Sequence, residues 1–127
     1  MLYVRKSRKS VDQAAADLEL AVKAHGFGVL HTYDFRKTLR EKGQALDHEC
    51  RVLEICNPKQ ASEMLHQDMS LNMALPCRVS VYEEAGHTKI GMITPTAILA
   101  LISNSPGLAG QAADVEARIR RMIDDAV

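Results

Sequence analysis

The sequence predicts an α+β fold: a two-layer sandwich with a mixed sheet of about five strands, a β-hairpin in its C-terminal half, and helices packed on one face. Three observations predict it. Strand-like and helix-like segments follow in the order β-α-β-α-β-α-β-β-α-α, and no repeat, low-complexity tract or linker divides them. Capping residues mark the helix starts, most sharply at Asn57-Pro58. A loop of hairpin length, Glu84-Ala85-Gly86, makes the two strands it joins antiparallel, which argues against a purely parallel, doubly wound sheet.

Leu2-Tyr3-Val4 reads as the first strand. Ser10 lies three residues before Gln13, the spacing of a capping box. Val11, Ala14, Ala15, Leu18 and Val22 then recur at steps of three and four, giving one buried stripe that stops at Gly26. The β-branched and aromatic segment 28–33 is the second strand, after which Asp34 caps a short, solvated helix that runs out at Gly43. Residues 50–56 form the third strand. At its end Asn57 caps a helix with Pro58 in the first position and Gln60 as box partner, and Ala61, Met64 and Leu65 share one side.

A Met-containing stretch over 69–75 leads to Pro76 and a fourth strand over 77–83. The fifth, over 89–93, returns antiparallel, and Gly91 marks either a bulge or a close backbone approach. Thr94-Pro95 and Ser105-Pro106 repeat the cap-then-proline device. They start a short apolar helix over 97–102 and an amphipathic one with Ala112, Val115, Ile119, Met122 and Ile123 on its inner face.

With 127 residues, 46% of them hydrophobic and 25% charged, the chain suffices for one domain with a proper core. Sixteen basic and sixteen acidic side chains cancel, so no net field draws in nucleic acid or a membrane surface. The basic cluster Arg5, Lys6, Arg8 and Lys9 is followed at once by Asp12, Asp17 and Glu19, and reads as a solvated strand end. No apolar run reaches the roughly 18 residues that span a bilayer. Three cysteines, an odd count, do not form a secreted disulfide framework; free thiols and a cytoplasmic location are the expectation. The chain has no phosphate-binding Gly loop, nucleophile-elbow Ser, HExxH motif or aromatic platform for nucleic acid, which removes several large enzyme classes.

Cys56 immediately precedes a helix start, where unpaired amides favour an anion and lower a thiol's pKa. Packing is the competing role, because Cys56 follows the apolar Leu53 and Ile55. If strands three and four share an end, Cys56 and Cys77 form a two-thiol site, and a disulfide between them requires α-carbons within about 7 Å. His48 and Cys50, two apart on an extended segment, have a spacing that zinc or copper uses, but two ligands are not a site. Met64, His66, Met69 and Met73 suggest soft copper ligands, although core filling is the commoner use of Met. Asp34 and Glu54, with Arg36, Arg51 or Arg78, are candidates to flank a pocket and hold a small anion; ion pairs along strand edges and caps are the competing role.

Three segments together resemble the prokaryotic domain of unknown function 302 family: Tyr33-Asp34-Phe35 with the stretch to Gly43, Val52-Leu53-Glu54-Ile55-Cys56-Asn57-Pro58, and Leu75-Pro76-Cys77-Arg78-Val79-Ser80-Val81-Tyr82-Glu83. Cys56 and Cys77 match the family pattern, whereas Cys50 is an addition. The resemblance implies a small α+β domain, often a homodimer, and transfers no catalytic residue. By elimination the chain reads as a binding domain for a small ligand or a partner, using its sheet face or a dimer interface. Its candidate residues are Cys56, Asn57, Cys77, Asp34, Glu54 and Arg78, with no cofactor predicted. The alternatives are a thiol-dependent redox protein using Cys56 and Cys77, and a soft-metal protein binding zinc or copper.

Overall fold

A computed structural model describes residues Met1–Val127. Five strands, β1 (Leu2–Ser7), β2 (Gly28–Asp34), β3 (Cys50–Cys56), β4 (Cys77–Glu84) and β5 (His87–Ile93), form one sheet in the order β1-β5-β4-β3-β2. Five helices accompany them: α1 (Val11–Ala24), α2 (Phe35–Glu41), α3 (Pro58–Gln67), α4 (Pro95–Ala100) and α5 (Leu108–Ala126). The Met-containing stretch after α3 is a 3-10 turn, Met69–Met73.

Every neighbouring pair of strands is antiparallel, so the sheet is not mixed as the sequence reading had it. The β1-α1-β2 segment looks like a parallel crossover. In the fold β1 and β2 run the same way but sit at opposite edges, and the remaining strands alternate in direction between them. The α+β two-layer plan itself stands. Leu18 and Val22 of α1 and Ile119, Met122 and Ile123 of α5 meet Leu53, Ile55, Val79, Val81 and Ile90 of the sheet in one core. Each such side chain contributes about 1.5–3 kcal/mol by leaving water. The other sheet face is open, with Leu2, Val4 and Ile93 exposed along its β1–β5 side. No helix is long and apolar enough to cross a membrane.

Local chemistry explains most element boundaries. Ser10 and Asn57 each accept an amide three residues on, from Gln13 and Gln60, both at 3.1 Å. The capping boxes are one-sided, since the two glutamine side chains turn instead to Asp17 and Asp114. Asp34 caps α2 by accepting from the Lys37 amide. The Ser105-Pro106 device fails: Gly107, with φ 83°, precedes a helix that starts at Leu108, and the Ser105 hydroxyl is taken by Ser103 at 2.8 Å. Pairing of Glu84 with His87 shortens the hairpin loop to Ala85-Gly86. Both loop residues have positive φ, as a type I′ turn requires. Gly91 holds no bulge. It is a close approach, where a Cβ would stand 2.8 Å from Val4 Cγ2. The sheet's register shift lies instead between Val29 and His31, at Leu30.

Candidate functional site

Because β3 and β4 are antiparallel, the end of one is the start of the other, and Ile55 pairs with Cys77. The N-terminus of α3 begins at the same corner. Cys56, Asn57 and Cys77 therefore border one cavity of about 200 Å³, walled by apolar side chains including Phe27, Leu30, Met64 and Val115. The register shift at β2 turns Leu30 into this wall. From α3, Gln60 also lines the cavity; its amide Nε2 donates to Asp114 at 2.7 Å, while its Oε1 is buried and has no hydrogen-bond partner. Leaving such an acceptor unpaired costs about 1–3 kcal/mol unless a donor reaches it.

Leu75, Pro76, Cys77 and Leu99 also bound a second, larger cavity of about 330 Å³. Its inner end is formed by Met92, Leu99 and Ile119, all buried, and its outer side by Arg78 and Ser80 of β4. The segment 75–77 and Leu99 of α4 thus stand between two voids.

All three thiols are free. Burial pushes Cys77 up to about 11, with the neighbouring Cys56 adding to the rise. Burial also raises Cys56, against the lowering that a helix start would give. Cys56 lies one residue ahead of the Asn57 cap, and the apolar walls outweigh the helix field there. Cys50 is raised by burial and by Asp34. The corner is thus built for thiols, not thiolates.

A consequence is measurable. A thiol whose folded pKa lies above its ordinary 9 contributes stability below that pH, and this is lost as pH rises toward about 11. At pH 8 the native protein should alkylate at Cys77 about ten- to a hundredfold more slowly than the unfolded chain, since each pKa unit is a tenfold change in thiolate. Mass spectrometry of iodoacetamide-treated protein reads this, and equal rates would contradict it.

The carboxylates do not join the corner. Asp34 sits opposite Arg51, and Arg51 pairs with Asp12 and with Glu49, which also holds Arg36. Glu54 lies between His31 of β2 and Arg78 of β4, and lines neither cavity. A hydrogen bond to Glu54 is the main reason the Tyr33 phenol is held above its ordinary value. Arg78 has no carboxylate within ion-pair distance. His48 and Cys50 gain no third ligand, because no three His, Cys, Asp or Glu side chains are grouped to hold a metal ion. The sequence reading missed Gln60 as a site residue. Its place three after Asn57 identified it as a cap partner, and nothing local signals that its amide turns toward α5.

The family model described as Domain of unknown function DUF302 matches residues 3–126. Among solved structures, the chain is similar to the crystal structure of an uncharacterized conserved DUF302 protein from Bacillus stearothermophilus. Identity is 34%, the match covers 99% of this chain and 98% of that one, and the TM-score is 0.93. No curated protein matches.

Proposed function

The chain belongs to the DUF302 family, whose name assigns no chemistry, and we propose that it is a small-molecule-binding domain whose ligand occupies the Cys56–Asn57–Cys77 cavity. The observation that carries this reading is Gln60, a residue of the mostly apolar cavity wall whose Oε1 is a buried acceptor without a partner. The ligand it fits is neutral and mostly apolar, with one hydroxyl or amine donor. A cavity of about 150 Å³ already holds a benzene-sized molecule, so the volume of about 200 Å³ sets a small size. Protonated thiols favour binding over redox chemistry, because a thiol nucleophile must first ionise.

1-Hexanol is a suitable probe. It should raise the thermal midpoint in a dose-dependent way and shift the Met64 methyl resonance, since a ligand at 100 times its Kd stabilises by about 2.7 kcal/mol. Gln60→Met should weaken hexanol about tenfold by removing the acceptor, the scale of one buried hydrogen bond. No change in midpoint and no shift at Met64 would overturn the reading.

A further inference from the structure

We propose that the larger cavity is a second binding site, for a monocarboxylate with a short unbranched tail: the carboxylate pairs with Arg78, and the tail lies against Met92, Ile98 and Ile119. The cavity is graded along its length. Arg78 and Ser80 stand two residues apart on one side of β4 and supply the only polar side chains of its wall, while Leu99 and Ile119 at the inner end are fully buried. Such a void accepts an amphiphile in one orientation, head outward and tail inward.

Arg78 is the second part of the argument. It is exposed, it makes no ion pair, and it makes no side-chain hydrogen bond to the rest of the chain. Its register partner Glu54 is the nearest candidate counter-ion along the sheet, yet the two side chains form no ion pair. At the opposite end of the sheet, by contrast, the arginines are occupied, Arg36 by Glu49 and Arg51 by Asp12 and Glu49. A free guanidinium over an apolar void recognises a planar carboxylate through two parallel hydrogen bonds. The volume of about 330 Å³ suits a tail of about eight carbons, the scale of small ligands in cavities of this size.

This site is separate from the Cys56–Asn57–Cys77 cavity, and two methionines tell them apart: Met92 lines the larger void and Met64 the smaller. The test titrates methyl-labelled protein with octanoate and, separately, with 1-octanol, reading both methionines by NMR and the affinity by calorimetry. Octanoate should shift Met92 and bind at least tenfold more tightly there than octanol. Arg78→Gln should remove that preference without changing octanol, and Arg78→Lys should keep much of it. Equal affinities for octanoate and octanol at Met92, or an unchanged octanoate affinity in Arg78→Gln, would overturn the carboxylate assignment. An octanoate shift confined to Met64, or none at either methionine, would overturn the second site; hexanol binding at Met64 stands or falls separately.

Discussion

Replacing Ile55 with Ala should destabilise the domain by about 3–5 kcal/mol, the upper part of the range for buried Ile→Ala changes. Ile55 is completely buried in β3, an interior strand, and pairs with Val29 on one side and Cys77 on the other. It also forms part of the wall of the smaller cavity. The cost of such a truncation depends on whether neighbours close over the missing atoms. Here the deleted methyl groups open into an existing void, and the backbone on both sides is fixed by sheet hydrogen bonds, so collapse is poor. Ile55→Val should cost about 0.5–1.5 kcal/mol, because most of the wall survives. Urea denaturation measures both, as a fall in midpoint with unchanged slope. A loss below about 1 kcal/mol for Ile55→Ala would mean that the corner repacks, and the cavity would then not be a rigid site.

What the sequence revealed about this corner follows the range of the interactions involved. Asn57 and Ser10 were readable as caps because a side chain reaching an amide three residues on is a local event. The failure at Ser105 is also local in cause: Gly107 takes the left-handed conformation at the helix entrance, and the serine hydroxyl finds another serine first. Strand direction is different. The β1-α1-β2 segment is equally consistent with neighbouring parallel strands and with strands at opposite edges, and only contacts more than 80 residues apart, such as Tyr3 with Met92, decide. The candidate site was half legible for the same reason. Cys56, Asn57 and Cys77 carried motif signals at a strand end and a helix start. Their apolar surroundings come from Phe27, Leu30, Leu99 and Val115, on separate segments, and that Arg78 forms no ion pair with its cross-strand neighbour Glu54 is likewise a matter of tertiary geometry.

Gly91→Val should be nearly as damaging, at about 2–3 kcal/mol or more, through overpacking and not through loss of contacts. Gly91 pairs with Val4 of β1 and Ser80 of β4, and a Cβ there would come 2.8 Å from Val4 Cγ2 and 3.2 Å from the Tyr3 carbonyl oxygen. The first contact is with a β-branched side chain whose rotamers are few, and the second is with backbone. A valine adds two further carbons to the same space. Gly91→Ala should cost less, because the alanine recovers about 0.5–1 kcal/mol of the entropy that glycine loses on ordering. A double-mutant cycle identifies the cause. Val4→Ala removes Cγ2, so Gly91→Ala in that background should be milder than alone, with a coupling of about 0.5–1 kcal/mol. Strict additivity would show that the alanine's cost arises elsewhere, for instance at the Tyr3 carbonyl, which Val4→Ala leaves in place. The effect should also reach the larger cavity, since Met92 and Ile93 follow Gly91 directly and line it. A β5 pushed away from β1 moves that wall, so any Gly91→Val protein that still folds should show a changed Met92 methyl resonance before octanoate is added.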